Sequence, residues 1–193
     1  MKRESTTGII LAGGKNSRMG QDKGFLMLSG KTFTQHIIEA LEPVVGTIMI
    51  VSDNSDYDDF KLKRVVDIME DSGPLAGVYT GLYHSETENN IVLSCDVPLV
   101  KTAVLNKLIE GFETEKDVIQ IECEGKSMPL IALYKKQCMH HFLKRLQDGE
   151  RRLQSAINEM NVKTISLEPA LRGFVRNINT ESDFKEIRND CND

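Results

Sequence analysis

Short runs rich in apolar residues, of which 8–12 is wholly apolar, alternate with amphipathic stretches through the first 115 residues. The apolar runs are typical of buried parallel strands, and they fall at 8–12, 47–51, 64–67 and 90–94. Apolar positions at helical spacing predict three helices between and after these runs. The first is capped by Thr32 or Thr34 and ends near Pro43, the second follows Gly73-Pro74, and the third covers 104–112. This order predicts a three-layer, doubly wound α/β fold with a mostly parallel sheet.

The pattern changes beyond residue 116. Strand-like runs at 117–123 and 127–134 flank Glu124-Gly125-Lys126, which is typical of a hairpin. The remaining elements are predicted as helices at 136–147 and 151–160, a strand at 163–167 and a last helix after Thr180. No repeat or low-complexity linker interrupts the chain, so we expect a single domain over residues 1–193, with halves at 1–115 and 116–193.

Composition narrows the class of protein. The 193 residues are 40% hydrophobic and 27% charged, which is typical of a globular chain rather than a disordered or fibrous one. The net charge of −5 argues against non-specific binding to nucleic acid or to anionic membranes. No apolar run reaches the ~18 residues of a membrane helix, and no signal-peptide core follows Met1. We therefore expect a cytoplasmic protein, and a monomer because no coiled-coil pattern is present. The wide spacing of the cysteines indicates that they are reduced thiols. Cys138, His140 and His141 are close in sequence but are not expected to bind zinc.

The most informative segment follows the first strand and reads LAGGKNSRMGQDK, residues 11–23. Its glycines allow the backbone to approach a ligand closely and to present N–H groups to anionic oxygens. Arg18 supplies a fork of donors suited to phosphate, and Lys23 supplies a movable point charge. The spacing matches neither a P-loop nor a dinucleotide-binding fingerprint. The segment therefore predicts a nucleotide triphosphate site, and a glycine-rich turn with solvated cations is the alternative.

Two aspartates come at the ends of predicted strands. Asp67 ends the third strand and Asp96 follows the fourth, and open α/β sheets bind ligands at the carboxyl ends of their strands. A carboxylate at Asp96 suits Mg²⁺, which is commonly held by one or two carboxylates together with phosphate oxygens. A turn-forming aspartate before Val97-Pro98 is the alternative, and the residues alone leave both open.

These blocks resemble those of the molybdenum cofactor guanylyltransferases, a family within the nucleotidyltransferase superfamily. Residues 11–23 resemble the family's glycine loop, with a departure where Lys15-Asn16 precedes Ser17. The further blocks are GPLAG at 73–77, CDVP at 95–98, GERR at 149–152 and NINT at 177–180. They occur in the family's order and span residues 8–183, nearly the whole chain.

The resemblance implies a Rossmann-like nucleotidyltransferase fold and a guanine nucleotide site. The implied nucleotide-binding residues are Leu11, Ala12, Gly13, Lys23, Asp67 and Asp96. The implied catalytic residues are Arg18, Lys23 and Asp96, with Asp96 as the ligand of an Mg²⁺ cofactor. Gly14 favours GTP, since related cytidylyltransferases tend to have alanine there. A plain strand-end cap remains the alternative for Asp67, and the role of Ser52 stays open.

The implied reaction transfers GMP from GTP to the phosphate of the molybdenum–molybdopterin cofactor and releases pyrophosphate. Residues 1–115 would then bind the nucleotide and residues 116–193 the acceptor. Transient contact with cofactor-insertion proteins or apo-molybdoenzymes is implied as well. Asn177 and Asn179 either contact the pterin or cap the last helix. Arg151 and Arg152 either attract the acceptor's phosphate or lie on the surface.

Three other functions stay open at this point. The first is a nucleotidyltransferase with another base or acceptor, such as a molybdopterin cytidylyltransferase or a sugar-phosphate enzyme. The second is a regulatory nucleotide-binding protein without turnover. The third is a carrier of the pterin that needs no GTP.

Overall fold

The computed structural model describes residues 2–12, 22–69 and 72–190. Its strands are β1 (Thr6–Leu11), β2 (Met27–Leu28), β3 (Lys31–Thr32), β4 (Thr47–Val51), β5 (Lys63–Val65), β6 (Asn89–Ser94), β7 (Val118–Cys123), β8 (Lys126–Lys135) and β9 (Val162–Ser166). Its α-helices are α1 (Phe33–Leu41), α2 (Gly73–His84), α3 (Thr102–Glu110), α4 (Cys138–Gln147), α5 (Leu153–Ile157) and α6 (Glu181–Asp190). Short 3₁₀ helices lie at Arg3–Ser5, Lys23–Phe25, Ser55–Phe60 and Pro169–Val175.

The described strands, apart from β2 and β3, form one seven-stranded sheet in the order β5-β4-β1-β6-β8-β7-β9. β4 and β6 both pair with β1 in parallel, β5 pairs with β4 in parallel, and β9 pairs with β7 in parallel. β8 is antiparallel to both β6 and β7. The mostly parallel α/β sheet predicted from the sequence is confirmed, and so is the β7–β8 hairpin.

Helices cover both faces of this sheet. Ile10 packs in one core cluster with residues of α1 and α3, whereas its neighbour Ile9 packs in a second cluster with residues of α2, α4 and α5. Successive strand residues point to opposite faces, so an unbroken apolar run is what a strand covered on both sides requires. The three-layer arrangement therefore follows from the apolar runs that predict these strands.

Hydrogen bonds of two side chains explain why α1 begins at Phe33. The side chain of Thr32 accepts a hydrogen bond from the backbone N–H of Gln35, and the Gln35 side chain accepts one from the N–H of Thr32. This capping box satisfies two donors that the first turn leaves unpaired. Thr34, the other predicted cap, is instead buried and donates to the carbonyl of Gly24.

Some elements differ from their predicted bounds. α5 covers only Leu153–Ile157 of the predicted 151–160, and β5 ends at Val65, so Asp67 lies two residues beyond it. The small β2–β3 hairpin was not predicted, because two-residue strands carry no measurable periodicity. Its turn uses Ser29 and Gly30, both at positive φ, where glycine is at no steric disadvantage.

The last part of the chain returns to the first half. Ile178 is fully buried among Leu26, Leu28 and Phe33, and Ile187 of α6 joins the same cluster. We call residues 177–180, with α6, the return segment. None of the helices in the described part of the chain has the length and apolarity to cross a membrane.

Candidate functional site

The carboxyl ends of the central parallel strands meet at one edge of the sheet. The ladder continues one residue past each strand, since the N–H of Ala12 donates to the Val51 carbonyl and the N–H of Cys95 donates to the Leu11 carbonyl, both at 3.0 Å. This pairing brings the start of the glycine loop beside the segment that carries Asp96. Gly13 and Arg18, also predicted for the site, lie outside the described residues.

Asp96 is held by its backbone and leaves its carboxylate available. Its carbonyl accepts a hydrogen bond of 2.8 Å from the N–H of Ile178, which ties the return segment to the end of β6. The side chain is partly exposed and makes no hydrogen bond or ion pair with any other described residue. A carboxylate that lies next to a buried strand and has no partner among the described residues is suited to an external ligand.

Lys23 lies at the end of the glycine loop and reaches the return segment. Its Nζ donates to Oδ1 of Asn179 at 2.7 Å. The partner is a neutral amide, so this contact orients the ammonium group without cancelling its charge. The structure thus brings Lys23 and Asp96 to the same strand edge through contacts with neighbouring residues of one segment.

A buried polar network fixes the turn that carries Lys23. Oδ1 of Asp22 accepts hydrogen bonds from the N–H of Gly24 at 3.0 Å and from the hydroxyl of Tyr57 at 2.6 Å. Its Oδ2 lies 3.4 Å from Nδ2 of Asn54. Burial is the main reason why the pKa of Tyr57 is raised far above its ordinary value, so the phenol stays protonated and donates.

Sequence reasoning missed Tyr57, and it left open the role of Asn54, which follows Ser52 and Asp53. Both lie in the polar loop after β4, where a single aromatic residue carries no periodic signal. A Cβ added at Gly24 would come within 2.0 Å of the Tyr57 hydroxyl, so only glycine fits against this network. The glycine directly after Asp22-Lys23 is therefore the one local signal in the sequence that could have indicated a side chain packed against this turn.

Asp67 uses one carboxylate oxygen for the local turn. Its Oδ1 accepts from the Thr80 hydroxyl at 2.8 Å and from the N–H of Met69 at 3.1 Å. Its Oδ2 makes no hydrogen bond among the described residues and lies 4.0 Å from the position of a Cβ at Gly77, which also faces Leu11. Asp67 therefore caps the turn, as the alternative for this residue predicted, and its Oδ2 beside Leu11 has no partner in the part of the chain that the structure describes.

The loop after β4 is organised by its own side chains. The hydroxyl oxygen of buried Ser52 accepts from the N–H of Asn54 at 3.2 Å, and Oδ1 of Asp53 accepts from the N–H of Asp67 at 3.1 Å. The second bond links the segments that follow β4 and β5. Ser52 thus has a structural role in shaping the loop.

A family model described as a MobA-like NTP transferase domain matches residues 8–164 of the chain. This chain belongs to that family. It is accordingly a nucleotidyltransferase, and the family indicated by the sequence motifs is confirmed.

The relatives of this family member are similar over almost their whole length. A protein of Flavobacterium johnsoniae named "Probable molybdenum cofactor guanylyltransferase" is 33% identical over 184 residues, covering 95% of this chain and 97% of its own. A molybdenum cofactor guanylyltransferase of Desulfosudis oleivorans is 31% identical, with 95% and 94% covered. The crystal structure of molybdopterin-guanine dinucleotide biosynthesis protein A from Archaeoglobus fulgidus superimposes with a TM-score of 0.80 at 25% identity, covering 96% of this chain and 98% of that one. The nucleotidyltransferase fold is thereby confirmed.

The NINT block caps the last helix of this MobA-like domain, and its contact with the pterin stays a prediction. The Thr180 hydroxyl accepts from the N–H of Asp183 at 3.1 Å, and Oδ2 of Asp183 accepts from the N–H groups of Asn179 and Thr180, each at 2.9 Å. These bonds lower the pKa of Asp183 and cap α6. The amide of Asn179 still faces Lys23, so one block both caps the helix and contacts the site.

The GERR block of the domain is engaged locally. Glu150 accepts from the N–H groups of Arg151 and Arg152 and pairs with the Arg152 guanidinium at 3.2 Å, and these contacts, the Arg152 side chain foremost, lower its pKa to about 2. The Arg151 carbonyl lies 3.1 Å from the position of a Cβ at Gly73, whose φ is +71°. The block therefore packs on the first residue of α2, and Arg152 extends into solvent.

Proposed function

We propose that this enzyme transfers GMP from GTP to the phosphate of the molybdenum–molybdopterin cofactor, which forms the guanine dinucleotide cofactor and releases pyrophosphate. The observation that carries the proposal is that Lys23 and Asp96, at the carboxyl edge of the sheet, contact the adjacent residues Asn179 and Ile178. The chain's full-length relatives are named molybdenum cofactor guanylyltransferases. Phosphoryl-type transfers depend on positioning and charge stabilisation, and these two residues supply both.

The residues at the sheet edge fit a Mg²⁺ cofactor. In the described part of the chain no cluster of three or more His, Cys, Asp or Glu side chains could form a complete metal cage. Asp96 offers one partly exposed carboxylate with no competing partner there. Mg²⁺ is usually held by one or two carboxylates, water and substrate phosphates, so a single carboxylate is sufficient. When bound, the ion would neutralise phosphate charge and orient the phosphates.

Lys23 stabilises the negative charge that develops on the transferring phosphorus centre and on the leaving pyrophosphate. Its ammonium is already oriented by the neutral amide of Asn179, so little reorganisation accompanies the reaction. Arg18 is assigned the same role from the sequence. The attacking oxygen belongs to the acceptor phosphate, so no nucleophilic side chain and no covalent nucleotidyl-enzyme are required.

The nucleotide is bound by the strand ends on one side of Asp96. Leu11, Ala12 and Gly13 would contact it through backbone groups, and Oδ2 of Asp67 can accept a hydrogen bond from its N–H or O–H donors. A carboxylate acceptor at this place is consistent with a guanine nucleotide, whose base edge carries N–H donors.

Calorimetric titration with GTP, CTP and ATP, each with Mg²⁺, tests the proposal, followed by measurement of pyrophosphate release with molybdenum–molybdopterin. We expect a clear preference for GTP and pyrophosphate release that depends on the acceptor. A preference for CTP would indicate a cytidylyltransferase. GTP binding without turnover would indicate a regulatory protein, and pterin binding without any nucleotide binding would indicate a carrier. A labelled nucleotide covalently attached to the enzyme would contradict the direct-transfer mechanism.

A further inference from the structure

Thr80 is a fully buried threonine on α2 whose hydroxyl faces the turn after β5. The hydroxyl donates to Oδ1 of Asp67 at 2.8 Å and accepts from the N–H of Ile68 at 3.1 Å. A helical threonine commonly gives its single proton to a carbonyl three or four positions earlier in its own helix. Thr80 gives it instead to a carboxylate 13 positions away in the chain, and the roles assigned above do not depend on this hydroxyl.

The packing of α2 brings Thr80 to this place. A Cβ at Gly77 would lie 3.6 Å from the Leu11 side chain, and a Cβ at Gly81 would lie 2.6 Å from the side chain of Ile9, so the helix approaches β1 closely at both glycines. Residues three and four positions apart lie on the same helix face, and Thr80 therefore shares the face of Gly77. This face carries the hydroxyl to the carboxyl end of the parallel strands.

Thr80 and the backbone together occupy one oxygen of the Asp67 carboxylate. Besides the Thr80 hydroxyl, Oδ1 accepts from the N–H of Met69 at 3.1 Å, and the N–H of Asp67 itself donates to Oδ1 of Asp53 at 3.1 Å. A carboxylate has about four acceptor sites, two on each oxygen, so these two donors fill Oδ1. Oδ2 has no partner in the part of the chain that the structure describes.

The bonds to Oδ1 fix the direction in which Oδ2 can accept a hydrogen bond. Guanine carries an N–H on the ring nitrogen where adenine and cytosine carry a lone pair. A carboxylate oxygen aimed at that atom therefore attracts guanine and repels the other two bases. The discrimination depends on the aim, because hydrogen bonds weaken steeply when the donor, hydrogen and acceptor depart from a line. A carboxylate that was free to rotate would lose part of it.

We propose that Thr80 is a positioning residue that sets the base preference of the nucleotide site. Its hydroxyl occupies Oδ1 of Asp67 and directs Oδ2 toward the ring N–H of guanine, and Thr80 itself does not touch the nucleotide. The inference rests on the proposed function, since it assumes that Asp67 faces the base of bound GTP.

Four substitutions in the full chain separate positioning from packing. Thr80→Val removes the hydroxyl at nearly constant shape, Thr80→Ala removes it with the strongest helix former, and Thr80→Ser retains it. Thr7→Val is the matched control. Thr7 is also a buried threonine, its Oγ1 lies 2.7 Å from Oγ1 of Thr87, and it lies at the amino end of β1, opposite the site.

Calorimetry with Mg²⁺ gives the affinity for GTP directly and the affinity for ATP by competition with GTP. The ratio of the two affinities is the main readout, because a general loosening of the fold weakens the binding of both nucleotides alike. Urea unfolding measures the stability of each variant. The same titrations on Asp67→Ala, with and without Thr80→Val, show whether Thr80 acts through Asp67.

We expect Thr80→Val and Thr80→Ala to weaken GTP binding about three- to tenfold, the usual effect of one hydrogen bond, and to leave ATP binding unchanged. The preference for GTP should fall by the same factor, and Thr80→Ser should keep the wild-type preference. Thr7→Val should unfold at a lower urea concentration than the wild type, as Thr80→Val does, and keep both affinities. In the Asp67→Ala background, Thr80→Val should change neither affinity.

Three results would overturn the inference. Equal weakening of GTP and ATP binding in Thr80→Val would mean that Thr80 only packs the helix. Unchanged affinities in Thr80→Val and Thr80→Ala would mean that Asp67 keeps its aim without the hydroxyl. A further loss of GTP affinity on adding Thr80→Val to Asp67→Ala would mean that Thr80 acts by another route.

The failure of this inference and the failure of the proposed function give different results. A wild type that prefers GTP and transfers GMP, while its variants give any of the three results above, would keep the proposed function and refute only the role of Thr80. A wild type without a preference for GTP would refute both.

Discussion

Lys23 and Asn179 are 156 positions apart in the chain, yet their side chains meet at 2.7 Å. In this contact, an amide of the return segment orients a cation of the glycine loop. Asp96 next to them is held by its carbonyl, so its carboxylate is free of internal partners in the described structure. At the residue scale, neutral groups position the charged residues: the Asn179 amide orients Lys23, and the Ile178 N–H holds the backbone of Asp96.

Asp96→Asn tests the residue on which the metal assignment depends. The substitution keeps the shape and the backbone bond to Ile178 but removes the charge that Mg²⁺ requires, so we expect most of the guanylyl transfer activity to be lost while the protein stays folded. Pyrophosphate release and thermal unfolding are the two measurements.

Asp59→Asn is the matched control, because Asp59 is exposed and takes part in none of the contacts described above. It should retain wild-type turnover. Near-normal turnover in Asp96→Asn would remove Asp96 from the catalytic role.

At the scale of elements, the short 3₁₀ helix Ser55–Phe60 holds the turn that carries Lys23. Tyr57 and Phe60 pack against Phe25 with ring centroids 4.6 and 5.9 Å from it. The same Tyr57 donates to Asp22 at the start of the Lys23–Phe25 turn. An element with no periodic signal in the sequence therefore determines where Lys23 lies.

Tyr57→Phe removes only the hydroxyl of this contact. We expect a loss of about 1–3 kcal/mol in the free energy of unfolding, because Asp22 loses a buried partner. Urea unfolding should show a lower midpoint with an unchanged slope.

Tyr83→Phe makes the same chemical change on a half-exposed side chain and should unfold like the wild type. If the two variants were equally stable, the Tyr57 hydroxyl would not contribute to holding the turn.

At the scale of the whole molecule, the return segment joins the two halves of the chain. Ile178 lies in a small core with residues of the β2–β3 hairpin and α1, while its N–H donates to Asp96. Ile178 thus contributes to the packing of this core and to the position of Asp96. The division into a nucleotide half and an acceptor half stays a prediction, and the single sheet runs through both.

Ile178→Ala tests this coupling. Truncating a fully buried isoleucine should cost about 2–5 kcal/mol in stability, and loosening the return segment should also weaken GTP binding several-fold through Lys23 and Asp96. Urea unfolding and calorimetry measure the two effects.

Ile119→Ala is the control, since Ile119 is equally buried but lies in β7. It should lose comparable stability and keep the GTP affinity of the wild type. A similar loss of affinity in both variants would mean that general destabilisation, rather than the return segment, explains the effect.

Much of the fold could be predicted because its strands are buried on both faces. The apolar runs at 47–51 and 90–94 match β4 and β6 within a residue, and α1 begins where its capping residues predict. The β2–β3 hairpin and the 3₁₀ helices could not be predicted, since they are too short for periodicity and depend on contacts with distant residues. Of the predicted site residues, Leu11, Ala12, Lys23, Asp67 and Asp96 lie at the described strand edge.

The sequence by itself determined the α/β class, the strand ends that carry chemistry and the family, because burial patterns and motif spacing are local properties of the chain. Only the tertiary structure decided which residues orient the candidate site residues. Tyr57 beside Asp22 and Asn179 beside Lys23 are long-range contacts. Such contacts depend on strand order and on the path of the return segment, and neither leaves a periodic trace in the residues themselves.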